Sequence, residues 1–120
     1  HDLQVDIILA GPIEYRASFP IDTEAVGDLT ELDERSSRIE AELVDGERTL
    51  SIDLQVREGA KFASGQLRVL DPTAGIDRTF LVLATPTVIG LRVVSLSGVW
   101  ISTDELPVVS GEFRLAVTRR

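Results

Sequence analysis

The stretch T-F-L-V-L-A-T-P-T-V-I-G-L-R-V-V-S-L-S-G-V-W-I-S, Thr79 to Ser102, decides the fold. It is the most apolar and most β-branched part of the chain, and it is too long for one strand. Pro86, Gly90 and the Ser97-Gly98 pair punctuate it, so it reads as two longer strands and a short third one at the centre of a sheet. Phe80 to Ile101 also has about the length of a membrane span. Arg92 lies inside it, however, next to Pro86, Gly90 and several hydroxyl residues, and a lone mid-membrane arginine costs at least a few kcal/mol. A buried sheet is therefore expected, with no membrane insertion by this domain.

The flanking sequence supplies strands to lay against that centre. Leu3 to Leu9 alternates, with Leu3, Val5, Ile7 and Leu9 on one face. Ala10-Gly11-Pro12 breaks it. Ile13 to Phe19 then alternates again, with Ile13, Tyr15, Ala17 and Phe19 directed one way and Glu14, Arg16 and Ser18 the other. Pro20 to Ser37 is the longest segment without strand character, and it is acidic. Leu29 and Leu32 are three residues apart, which permits at most one short helical turn near residues 22–35.

Arg38 to Val56 is the best-specified element. Two alternating strands flank Asp45-Gly46, a strong signal for a two-residue type I′ turn. That turn sets Val44 opposite Glu47, Ala41 opposite Leu50, Ile39 opposite Ile52 and Arg38 opposite Asp53, with Leu43 against Arg48 as the mixed pair. Beyond it, Phe62 is expected to point inward from a Gly-bounded loop. Gln66 to Leu70 is a short strand, Asp71-Pro72 closes it, and Glu112 to Thr118 ends the chain as a strand.

The count is eight or nine short strands and no helix, which makes the chain all-β. An antiparallel β-sandwich is expected first and a closed barrel second, because the central strands look apolar on both faces while the outer ones are half polar.

Composition narrows function mostly by exclusion. One domain spanning residues 1–120 is expected, and the absence of Met reads as a processed form or a piece excised from a longer protein. Acidic residues outnumber basic ones by 20 to 12, a net charge of -8, which repels nucleic acid and anionic membranes. With no Cys and a single His at position 1, Ser-His-Asp and Cys-His catalysis lack a base, and thiolate or imidazole metal sites lack ligands. The missing cysteines and the all-β pattern lean towards an extracytoplasmic or surface protein.

The remaining candidates are few. Trp100 lies between Val99 and Ile101, so it either fills the core or stands exposed as a contact residue. Arg16, Arg68, Arg92 and Arg114 all occupy strands, and two of them meeting on one face make an anion site, although cross-strand pairing with Asp or Glu is the commoner fate. Trp100 and Arg92 are the binding residues to examine. A carboxylate-dependent hydrolase requires two acids about 5–10 Å apart across a cleft.

Calcium is the metal that suits the oxygen donors Asp22, Glu24 and Asp28, or Glu31, Asp33 and Glu34, or Asp71 with Asp77. None of these matches an EF-hand loop, and no cofactor is called for. What is left is a non-enzymatic binding or assembly module, meeting a protein partner or its own copies through faces or through sheet edges such as Leu3 to Leu9 and Glu112 to Thr118. The alternative is a sandwich or barrel holding an apolar molecule inside.

Overall fold

Alternating sequences of this kind fold as pleated strands with one face buried, and that is what the computed structural model shows. It describes residues 3–21, 38–56, 62–89, 92–104 and 106–119. The strands are β1 (Leu3–Ala10), β2 (Tyr15–Ile21), β3 (Arg38–Asp45), β4 (Arg48–Val56), β5 (Ala63–Asp71), β6 (Ile76–Ile89), β7 (Arg92–Ser102) and β8 (Val109–Arg119). The calcium candidates Asp22, Glu24, Asp28, Glu31, Asp33 and Glu34, and the helical turn expected near 22–35, lie outside the described residues.

All eight strands belong to one antiparallel sheet, in the order β2-β1-β8-β7-β6-β5-β4-β3. Of the two architectures expected, this is the barrel, nearly closed. The apolar stretch Thr79 to Ser102 supplies most of β6 and all of β7, the two middle strands. Each further neighbour is the next strand in sequence except where β1 pairs with β8, from Leu3 opposite Arg119 to Ala10 opposite Glu112. The two strands expected as free edges therefore cover one another. Among the described residues the edges are β2 and β3, which approach each other across a seam.

The seam is held by side chains instead of a strand ladder. Arg48 donates to the Ser18 carbonyl at 3.0 Å, and its guanidinium lies 4.6 Å from the centre of the Phe19 ring. A carbonyl that meets Arg48 points away from β1, and backbone groups alternate sides along a strand. Pro20, two residues on, therefore lacks an N–H where the open edge would present one. The β2 edge is blunted at both positions.

Two details of the centre differ from the sequence reading. Pro86 does not end a strand: it pairs with Leu96 inside the 14-residue β6, and a bulge follows directly between Thr87 and Val88. A bulge relieves the ladder where proline cannot donate. Ser97-Gly98 is likewise internal, so there is no third strand. Gly98 lies opposite Ala84, and a Cβ there would come within 1.9 Å of the Leu83 carbonyl oxygen. This glycine serves close approach, not a turn.

The β3–β4 hairpin forms, with its register two residues from the expected one. Asp45 pairs with Arg48, Leu43 with Leu50, Ala41 with Ile52 and Ile39 with Leu54. Gly46 carries the positive φ, +62°, while Glu47 does not. Gly46 is thus the first turn residue, as in a type II′ turn, and not the second. The shift removes the mixed Leu43–Arg48 pair, gives Arg48 an acid opposite it, and leaves every side chain on its expected face because the offset is even.

Inside, Trp100, Phe19 and Phe80 are the largest buried side chains, packed with aliphatic residues from every strand. Phe62 is 54% exposed and not the inward anchor expected.

Candidate functional site

Strands in the middle of a barrel normally turn polar residues outward. In the middle of β6 and at the end of β7 they do not. Phe80, Val82 and Ala84 take the inner face of β6, which sends Leu81 and Leu83 outward; on β7, Trp100 points in and Val99 and Ile101 point out. The register sets Leu81 opposite Ile101 and Leu83 opposite Val99, so four apolar side chains, 38–46% exposed, form two adjacent cross-strand pairs. Burying such a quartet is worth roughly 25 cal/mol per Å².

Its neighbours in register are largely uncharged. Ser64 and Gln66 of β5 flank Leu83 and Leu81, and Ser110 and Glu112 of β8 flank Ile101 and Val99. On the β8 side the surface dips into a shallow groove of about 540 Å³, lined by Ile8, Ala10, Gly98, Val99, Glu112 and Arg114.

A second feature sits at the mouth of the barrel. The Tyr15 hydroxyl donates to Asp71 Oδ2 at 2.7 Å, and the Ala74 amide donates to Asp71 Oδ1 at 3.2 Å. Asp71 is buried, and chiefly the Tyr15 hydrogen bond keeps its carboxyl below the ordinary carboxylate value. Burial, reinforced by Asp71, pushes the Tyr15 phenol upward. Arg48 lies at the same shallow cleft, engaged with Asp45 and Ser18. Each of these polar groups is committed to another, so the cluster braces β2 against β5. Sequence reading missed it, although a buried tyrosine usually finds a partner for its hydroxyl.

The residues singled out from sequence fare differently. Trp100 takes the inward alternative: it is fully buried, donates from Nε1 to the Ala10 carbonyl at 3.1 Å, and meets Phe80 edge-on with ring centres 5.3 Å apart. Arg92 begins β7 opposite Ile89. Arg68 pairs with Asp77 at 3.3 Å, the common fate of such arginines. Arg16 and Arg114 do share a face, both opposite Ile8, but β1 runs between them and they do not converge.

The carboxylates are similarly dispersed. Arg38 holds Asp53 through two hydrogen bonds of 2.8 and 2.7 Å and touches Glu40 at 3.2 Å. Asp6 accepts from Ser18, Gln4 and Thr118, and the Ser18 bond is the main cause of its lowered pKa. Asp71 and Asp77 face different partners, and among the described residues no group of three acids is placed to hold a metal ion.

Comparison with protein-family models, with curated proteins and with solved structures finds no match.

Proposed function

We propose that this domain is a non-catalytic binding or assembly module that meets another protein through the outer face of β6 and β7. One observation carries the reading: Leu81, Leu83, Val99 and Ile101 stand together on the outside of the two central strands. A contiguous exposed apolar patch with a polar, largely uncharged rim is the pattern of an interaction surface, whereas single exposed apolar residues need no explanation. Two of the routes through sheet edges are weakened, since β1 and β8 cover each other and the β2 edge is blunted by Pro20 and Arg48.

An apolar ligand inside the barrel is less well supported, because the inner face is filled by Trp100, Phe80, Phe19 and the aliphatic core.

Retention on a phenyl matrix in ammonium sulfate measures whether the face is accessible. The native chain should be retained and Leu81→Ser/Leu83→Ser should elute early with an unchanged melting temperature. Equal retention of the two, with both folded, would refute the proposed face.

A further inference from the structure

We infer that the occupant of this face is a second copy of the same chain, seated about a two-fold axis running along β7; the inference rests on the reading of the β6–β7 face given above. A two-fold contact requires one surface to complement itself. This one does, because β7 has a ridge on one side and a hollow on the other. The ridge is Leu81 and Leu83 on β6, and the hollow is the groove over β8 lined by Ala10, Val99, Glu112 and Arg114 among others.

Turning a second copy about β7 lays β6 of each molecule over β8 of the other. Leu83 then enters the groove at the level of Glu112, since both residues pair with Val99. Val99 meets Val99 of the second copy, and Ile101 meets Ile101. Ser97, on the same face of β7, lies on the axis against its own counterpart.

Charge points the same way. Each chain carries a net charge of -8, so two copies repel except where charge is sparse. The quartet and its flanking Ser64, Gln66 and Ser110 carry none, and Glu112, opposite Val99, is the one charged residue beside the quartet in register. Glu112 is offset from the axis by one strand, so the two-fold sets it against Leu83 and not against itself. A partner recruited by ion pairing would find only Glu112 and Arg114 to hold on this surface, whereas a mainly apolar, self-fitting contact suits the quartet. A standard interface takes about 800 Å² per molecule, roughly a tenth of the 7603 Å² this chain exposes.

The experiment uses the whole chain. Sedimentation velocity from low micromolar to millimolar concentration should show a monomer–dimer equilibrium, and Leu83→Asp should weaken the dimer by ~30-fold or more, because a truncated anchor is lost twice in a two-fold contact. Since the chain has no cysteine, Ser97→Cys supplies one thiol at the axis and should cross-link rapidly under mild oxidation. Glu42→Cys, exposed on β3, should not.

A chain that stays monomeric at every concentration overturns the second-copy inference and leaves the binding face to be judged by phenyl retention. A dimer that ignores Leu83→Asp and cross-links no faster through Ser97→Cys than through Glu42→Cys overturns it too, and places the contact elsewhere on the molecule.

Discussion

The Tyr15 hydroxyl and the Asp71 carboxylate meet at 2.7 Å although 56 residues separate them in the chain. The bond fastens the start of edge strand β2 to the end of β5, across the mouth of the barrel. Tyr15→Phe keeps the ring in the core and leaves Asp71 with one acceptor position unfilled, which should cost about 1–3 kcal/mol at neutral pH.

The loss should depend on pH in a defined direction. The folded-state pKa of Asp71 is depressed, so its stabilising contribution is full above the unfolded value near 3.9 and disappears as pH falls through the folded value. The gap in melting temperature between native chain and Tyr15→Phe should therefore be widest near neutrality and narrow below about pH 4. A gap that is the same at pH 7 and in strong acid would show that Tyr15 acts through packing alone.

Arg48 performs for the seam what backbone pairing performs elsewhere. It binds the Ser18 carbonyl, pairs with Asp45 and covers the Phe19 ring, joining the two ends of the sheet through one side chain. Arg48→Met retains much of the apolar stem and removes the charged fork, at a cost of about 1–3 kcal/mol. Hydrogen exchange should report where the loss falls. Amides of β2 and β3 should exchange faster while those of β6 and β7 keep their protection, and uniform acceleration across the sheet would count against a local clasp.

What the sequence disclosed and what it withheld divide along one physical line. Side-chain alternation has period two and is written locally, so the inward faces of β1, β2, β3 and β4 were legible residue by residue. Offsets between strands are not local. Asp45-Gly46 fits two hairpin turns, and the one adopted follows from Leu43 meeting Leu50 and Asp45 meeting Arg48. Pairing of β1 with β8 joins the two ends of the chain, and no short-range signal announces it.

The candidate site was concealed for a related reason. Apolar residues on both faces of β6 and β7 read as strands buried on both sides, which favoured the sandwich. In the barrel only the inner face is covered, and the outer one becomes the exposed quartet.

The glycines separate crowding from conformation. At Gly98 a methyl group would meet the Leu83 carbonyl oxygen at 1.9 Å, which nothing but separation of β6 from β7 relieves. At Gly46 there is nothing within 4 Å, but φ is +62°, a region that costs an L-residue roughly 1–2 kcal/mol. Gly46→Ala should therefore lower stability by about that amount with the fold intact. Gly98→Ala should cost more than about 4 kcal/mol or prevent folding. Urea unfolding distinguishes them, and a Gly98→Ala chain as stable as Gly46→Ala would mean that the two central strands are not packed as closely as described.

Trp100 provides the last test, because it is the chain's one tryptophan and lies where no water reaches it. Its emission should be blue-shifted and resistant to acrylamide in the native state, and both properties should be lost together on unfolding. Trp100→Phe removes the hydrogen bond to Ala10 and leaves a void beside Phe80 and Gly111, where a Cβ on the glycine would stand 2.7 Å from the indole. The sum of a lost hydrogen bond and a partly collapsed cavity is about 2–4 kcal/mol. Gly111→Ala should be unable to compensate, because its new methyl would also meet the Ala10 carbonyl oxygen at 2.1 Å. A double variant more stable than Trp100→Phe alone would contradict that packing, since it would require the β1–β8 contact at Ala10 to give way at no cost.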